Sequence, residues 1–408
     1  MNYQWIKTSI GEIADIKHGW AFPGSGISEE VSDNVLVTPG SFKIGGGFKK
    51  DNKKFFNGDY PHEYLLHPDD LIVTMTDLSK NTDTLGFSAL VPDDGKKYLH
   101  NQRIGLVQLK SNVIDKKYLY WLLRTYHYQR FIAGSASGTT VKHTSPTLIK
   151  KYCFLMPPLE KQKKIVGVLS SLDNKIELNA QINHNLEEQA KAIFKSWFVD
   201  FEPFQNGKFV DSELGKIPEG WRVEVLNEIA DITMGQSPQG ASYNEDAVGT
   251  VFYQGRAEFT DRFPARRLFT TEPKRMANAG DVLLSIRAPV GDLNIANEPC
   301  CIGRGLAAIH AKNGFASFIF YTMLALKPEL EKYNGEGTVF GCINKDSLSS
   351  QKVIIPPRNI IANFESVVSP LDYLYLVNFE ENMRLIQLRD TLLPKLMSGK
   401  IDVSEVEV

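Results

Sequence analysis

The chain has 408 residues, 42% hydrophobic and 23% charged, and its 46 Lys and Arg against 48 Asp and Glu give a formal net charge of −2. This composition excludes a disordered or fibrous chain, and near-neutrality argues against a protein that coats nucleic acid over its whole surface, while leaving room for local basic patches. No run approaches 18 uncharged apolar residues and the amino-terminal stretch has no basic cap before an apolar core, so a cytoplasmic protein of two or three domains is the expectation.

The first signal in chain order is residues 5–19, WIKTSIGEIADIKHG, which return at residues 221–235 as WRVEVLNEIADITMG. The two stretches match at Ile10/Leu226, Glu12/Glu228, Ile13/Ile229, Ala14/Ala230, Asp15/Asp231 and Ile16/Ile232. Later the echo recurs as Gly138-Thr139 against Gly337-Thr338 and Pro157-Pro158 against Pro356-Pro357. The chain therefore reads as a tandem duplication, each copy a globular body followed by a rod. The expected division is a first body at 1–156, a helical spacer at 157–200, a linker at 201–220, a second body at 221–355, and a second helical spacer with tail at 356–408.

Within residues 1–156, short strand-like runs such as Val35-Leu36-Val37 and Leu71-Ile72-Val73 alternate with turn clusters rich in Gly, Asp and Asn. An aromatic helical segment at residues 118–123 interrupts them. The second unit repeats the order with Val282-Leu283-Leu284 and then Phe318-Ile319-Phe320-Tyr321. Each body is expected to be mixed α/β.

Basic residues gather in both bodies. Lys43, Lys49, Lys50, Lys53 and Lys54 flank Gly45-Gly46-Gly47, and Arg256, Arg262, Arg266, Arg267, Lys274 and Arg275 cluster in the second copy. Glycine-flexed loops with Lys and Arg suit phosphate contact, and arginine forks suit guanine edges, although a charge run is commonly only a solvated face. Arg103 and Arg304, at matching places, read as either structural or base-reading. The loops at residues 134–143, with Thr139, Lys142 and His143, and at residues 335–344 read as simple turns or as direct contacts.

Along residues 159–198 the pattern changes. Ile165, Leu169, Leu172, Ile176, Asn179, Asn183, Leu186, Ala190, Ile193 and Trp197 keep spacings of four and three, a coiled-coil seam. The second copy repeats it from Phe364 to Leu396, again with two asparagines, Asn378 and Asn382, at the equivalent positions. An asparagine in such a seam either faces solvent where helices splay or pairs with another and fixes register; recurrence in both copies favours register. Forty helical residues span roughly 60 Å, and antiparallel packing of the two rods is the natural closure. The proline pairs lack the flanks of an aminomethyltransferase (N/D)PP(Y/F) site and instead suit helix starts.

Enzymatic readings find little support. Asp69 with Asp94 and Lys96 forms a loose PD…(D/E)xK pattern of the kind that binds Mg²⁺ for phosphodiester cleavage, but the second copy retains only the carboxylate aligned with Asp70. There is no GxxxxGK[ST] phosphate loop. The histidines form no HxxxH or HxH cluster, and the four cysteines, Cys153, Cys300, Cys301 and Cys342, show no CxxC spacing, so no metal is assigned and buried thiols are expected.

In this order the motifs resemble, across essentially the whole length, the specificity (S) subunit of type I restriction-modification systems. The carrying residues are the openings at Trp5 and Trp221, Gly235-Gln236-Ser237-Pro238 with Tyr243-Asn244, the segment Pro157-Pro158-Leu159-Glu160-Lys161-Gln162, and the ending at residues 392–401. The resemblance implies two target-recognition domains, each reading half of a bipartite double-stranded DNA target, with an antiparallel helical pair setting the gap. It also implies that the chain is not itself an enzyme and holds no cofactor. S-adenosylmethionine, ATP and Mg belong to the methyltransferase (M) and restriction (R) partner subunits. The second copy departs at Pro356-Pro357-Arg358-Asn359-Ile360, which puts equal docking of partners on both sides in question. The resemblance identifies no base-contacting residue; the DNA-binding candidates rest on charge and loop position. The rival readings are a metal-dependent nuclease using Asp69, Asp94 and Lys96, and a tandem scaffold that binds only proteins.

Overall fold

The computed structural model describes residues 5–51, 54–77, 79, 82–287, 289–335 and 341–406. Lys53 and the Gly337-Thr338 echo lie outside these residues. The chain forms two compact units, Met1–Glu177 with Met383–Val408, and Leu178–Asn382.

In the first unit, strand Ile6–Ser9 pairs antiparallel with Cys153–Met156, so the body's beginning and end meet where the first long helix starts. Between them lie two sheets. One is antiparallel, in the order Ala14–His18, Ile104–Leu109, Leu71–Thr74, Ser88–Leu90. The other is five-stranded, in the order Ile27–Ser28, Phe55–Phe56, Asn34–Val37, Lys97–His100, Leu65–Leu66, and contains one parallel pair, Asn34–Val37 with Lys97–His100.

The two-residue period of a strand explains the layering. Val35 and Val37 join Ile72, Ala89 and Ile104 in a core between the sheets, while Leu36, with Leu99 and Phe56, packs on the opposite face around Phe22. Leu71 and Val73 point the other way from Ile72, toward Tyr118, Leu119, Trp121, Tyr128 and Ile132 of the helices Lys116–Leu122 and Tyr126–Ser135. Asp115 caps the first of these helices by accepting the Lys117 and Tyr118 amides, and Thr125 caps the second.

The second unit repeats this topology strand for strand. Its antiparallel sheet runs Ala230–Met234, Leu306–Ala311, Val282–Ile286, Val290–Ile295, and its five-stranded sheet runs Tyr243–Asn244, Phe269–Thr270, Thr250–Tyr253, Cys300–Ile302, Met276–Ala277. Strand Arg222–Val225 pairs with Lys352–Ile355 as Ile6–Ser9 does with its partner. The opening echo is legible because it is core: Ile10, Ile13, Ala14 and Ile16, and Leu226, Ile229, Ala230 and Ile232, are all buried. Two differences stand out. The second body has one continuous helix, Ala316–Glu331, where the first breaks at Leu123–Thr125. The linker is ordered: it forms the hairpin Phe209–Ser212 with Gly215–Pro218, and Phe201 and Phe204 pack on Trp221 with ring centroids 5.5 and 5.0 Å away.

Both rods are single helices, Leu159–Phe198 and Arg358–Met397, whose first turns bond to the carbonyls of Pro158 and Pro357. The helices pack antiparallel in each unit. In the first, Ile165 and Leu169 share a core with Leu393, Leu396 and Met397. In the second, Asn179 donates to Asn382 at 3.0 Å and to Glu381 at 2.7 Å, Asn378 donates to Asn183 at 2.9 Å, and Asn183 donates to the Tyr375 carbonyl at 3.1 Å. Toward the end of the first helix the buried stripe moves by one residue, from Ile193 and Trp197 to Phe194 and Phe198, which enter the aromatic core of the second body with Phe318 and Phe364. Among the described residues no helix is long and apolar enough to cross a membrane.

Candidate nucleic-acid interface

At one end of the first unit's four-stranded sheet, the chain leaving strand Leu71–Thr74 is gripped from both sides. The Met75 amide donates to the Arg103 carbonyl at 2.9 Å, and the Thr144 amide donates to the Met75 carbonyl at 3.0 Å. Thr76 and Asp77 then pair antiparallel with Lys142 and His143, and His143 Nδ1 lies 3.2 Å from the Thr76 hydroxyl. The loop carrying Lys142 and His143 closes on itself through two backbone bonds between Ser137 and His143, and Lys142 Nζ donates to the Gly138 carbonyl at 2.9 Å. Gly138 has φ +95°, and a Cβ there would sit 2.0 Å from the Val141 carbonyl oxygen, so the turn requires glycine. Thr139 is exposed on this loop, and Arg103 is exposed beside it.

The facing loop is organised by a buried charge. The Asp77 carboxylate, 2% exposed, accepts from the Ser79 and Thr84 amides at 2.6 Å and the Leu85 amide at 3.0 Å. Burial works to raise its pKa, but the amide donors of Ser79 and Thr84 outweigh burial and hold the group below the ordinary carboxylate range.

The second unit builds the same end with other residues. The Ile286 amide donates to the Gly305 carbonyl at 2.9 Å, and the Ile343 amide donates to the Ile286 carbonyl at 3.2 Å. Arg287, exposed, bridges to Cys342, much as Thr76 pairs with His143. Arg304, also exposed, donates its amide to the Ser237 hydroxyl at 3.2 Å. The repeated glycines Gly19 and Gly235 lie at this end, where an added Cβ would approach backbone carbonyl oxygens to 2.3 and 2.1 Å respectively. Each body thus presents a sheet end on which separate loops bring basic side chains together: exposed Arg103, half-buried Lys142 and the His143 imidazole in one, exposed Arg287 and Arg304 in the other. Arg287 escapes a search for basic runs because it stands alone after an apolar strand.

The basic runs are placed differently. Lys43 and Lys50 converge on Glu177 of the first long helix at 3.7 and 3.3 Å, while Lys49 pairs with Asp51 and Lys54 with Glu29. The glycines between them serve packing: Arg124 Nε donates to the Gly45 carbonyl at 2.9 Å, and a Cβ on Gly46, φ +93°, would meet the Arg124 side chain at 2.8 Å. In the second body Arg256 pairs with Asp292 at 3.0 Å, Arg266 with Glu298, and Arg267 with the buried Glu258. Lys274 and Arg275 are exposed. Arg262 must be corrected: its side chain is 2% exposed, paired with Asp372 at 2.5 Å and stacked over the Phe320 and Tyr375 rings at 4.6 and 4.8 Å. It is an interior residue because its partner carboxylate lies 110 positions away, invisible to local charge counting.

The model of the type I restriction modification DNA specificity domain matches residues 2–188 and again residues 218–373. The chain belongs to this family. It is 36% identical over 313 residues to the putative type I restriction enzyme MjaX specificity subunit of Methanocaldococcus jannaschii, covering 75% of this chain and 72% of that one. With the MjaIX specificity subunit of the same organism it shares 29% identity over 350 residues, 81% of this chain and 75% of that one. The crystal structure of the S subunit from M. genitalium has the same fold, with a TM-score of 0.61 at 18% identity over 97% of this chain and 96% of that one. The chain is therefore a type I restriction-modification specificity chain, and its two domains are DNA-recognition domains.

Two sequence features of the specificity chain now have physical reasons. Gln162, fully buried in the segment after Pro158, accepts from the Asp115 amide at 2.7 Å and donates to the Val113 and Pro157 carbonyls at 3.0 and 2.8 Å, tying the helix start to the body. The equivalent of Gln162 in the second copy is Ile361, which is buried in the apolar core; the tie is made one turn later by Glu365, which accepts the Phe318 amide at 2.9 Å. The carboxylates of the nuclease rival are engaged elsewhere: Asp69 pairs with Lys116 at 3.2 Å, and Asp94 accepts from the Tyr98 hydroxyl at 2.9 Å and, more loosely, from the Lys96 amide at 3.3 Å. Among the described residues no group of three His, Cys, Asp or Glu is placed to hold a metal. All four cysteines are free; Cys300 and Cys301 are buried as expected, whereas Cys153 and Cys342 are exposed.

Proposed function

We propose that this chain is the non-catalytic DNA-binding subunit of a cytoplasmic type I restriction-modification complex, and that each repeat reads one half of a bipartite duplex target. The helical pair sets the unread gap and docks the methyltransferase subunits. S-adenosylmethionine, ATP and Mg are held by the methyltransferase and restriction subunits rather than by this chain.

The observation that carries this reading is the repetition of one sheet-end arrangement with different exposed side chains. Equal scaffolds with unequal loops are what two reading heads for two half-sequences require, since phosphate contacts position a domain and side chains at base edges specify. Arg103, Thr139, Lys142 and His143 are assigned to one half-site, and Arg287 and Arg304 to the other. The surface cations of the basic runs, Lys43, Lys49, Lys50, half-buried Lys54, Arg256, Arg266, Arg267, Lys274 and Arg275, are assigned to sequence-independent phosphate attraction, which is screened by salt. The asparagine pairs Asn179/Asn382 and Asn183/Asn378 fix the register of the helices and hence the gap.

The test is alanine substitution of Arg103 and Lys142 together, and separately of Arg287 and Arg304, in the full chain expressed with its methyltransferase partner. Sequencing of the methylated DNA should show relaxed selectivity at one half-site for the first pair and at the other half-site for the second. Equal loss at both halves for either pair would overturn the assignment.

A further inference from the structure

Asp173 and Asp372 occupy equivalent positions of the two long helices, 199 residues apart like the proline pairs that begin them. Each binds an arginine of its own unit's body. Asp173 takes Arg124 at 3.1 Å, from the break between the two short helices of the first body, and also Arg389 of the second long helix at 2.7 Å. Asp372 takes Arg262 at 2.5 Å from a loop of the second body, and the Tyr321 hydroxyl at 2.8 Å.

The arginines come from unrelated places in the repeat, yet both end with their side chains shielded, 5% and 2% exposed, and lying over aromatic rings. Arg124 lies 4.4 Å from the Trp121 centroid and Arg262 lies 4.6 Å from that of Phe320. A guanidinium held by a carboxylate on one side and a ring face on another has little rotational freedom, so the body carrying it is fixed in orientation on its helix.

We propose that Asp173 and Asp372 are positioning residues for DNA recognition: each orients its own body on the helical pair and so tunes the reading of one half-site without touching DNA. This rests on the assignment of one half-site to each repeat. The two junctions are built from different arginines, so each is adjusted independently of the other.

The test uses Asp173→Asn and Asp372→Asn, which keep side-chain shape and remove the charge, in the full chain expressed with its methyltransferase partner. Asp372→Asn should lower selectivity about tenfold, the scale of one lost base discrimination, at the half-site that responds to Arg287 and Arg304, and leave the other half unchanged. Asp173→Asn should do the converse. Loss at both halves together, or unchanged selectivity in a chain whose circular dichroism and complex assembly are normal, would overturn the proposal. Should an asparagine variant fail to fold, Arg262→Lys and Arg124→Lys retain the cation but not the fork and are read by the same criteria. If the sheet-end variants separate the two halves and the aspartate variants do not, only the positioning role fails. If the sheet-end variants also fail to separate them, the half-site assignment falls and the positioning role falls with it.

Discussion

Asn183 and Asn378 meet amide to amide at 2.9 Å in the helical seam, with Leu186 and Tyr375 buried beside them. Neither amide has access to much water, being 6% and 7% exposed, so the Asn378 amide group relies on the Asn183 oxygen as its acceptor. Asn183→Leu should therefore destabilise by about 1–3 kcal/mol, because the Asn378 amide loses its acceptor. The double change Asn183→Leu with Asn378→Leu should recover most of that loss, since two matched apolar groups leave nothing unpaired. Thermal unfolding of the two singles and the double gives the coupling energy. Additive losses would mean that the amides do not act as a pair.

His100 is fully buried, with Nε2 donating to the Ile104 carbonyl at 2.8 Å and Nδ1 lacking a described partner. Burial pushes its pKa down to about 4, against 6.5 for a free histidine. The unfolded chain thus takes up a proton that the folded chain refuses, and stability that is complete above pH 6.5 should fall as the pH drops toward 4, by about 3 kcal/mol in total. Hydrogen exchange of the strand Lys97–His100, corrected for the intrinsic pH dependence of exchange, should show this slope in the native chain and lose it in His100→Gln. The same slope in both would assign it to other groups.

Gln162 and Ile361 answer the same structural need in opposite chemistry. Gln162→Leu removes the buried acceptor of the half-buried Asp115 amide and should cost about 1–3 kcal/mol. Ile361→Gln should also destabilise rather than restore a motif, because that position lies within the apolar core of the second body and its tie is already made by Glu365. Thermal unfolding of each variant decides the matter; a stabilising Ile361→Gln would contradict it.

The layered bodies and the helical seam were readable because they follow from periodicity. Val35-Leu36-Val37 and Ile165 through Trp197 announce strand and helix by spacing alone, and the buried echo residues Ile10, Ala14, Leu226 and Ala230 recur because each repeat must close the same core. What spacing cannot report is which distant group a charged residue meets. Arg262 sits in a run of exposed cations yet turns inward to Asp372, and Lys43 and Lys50 face Glu177 of the helix. Arg287 and Thr76 gain their place only through pairing with loops 55 and more residues later, a long-range contact that no local pattern encodes.

Sequencing the methylated DNA of a strain that expresses this chain with its methyltransferase partner tests most directly whether two repeats read two half-sequences. The expected result is a modified motif in two specified parts separated by a gap of fixed length and free sequence. A single uninterrupted motif, or a motif that stays the same when the chain is replaced by a specificity subunit with different recognition domains, would contradict it.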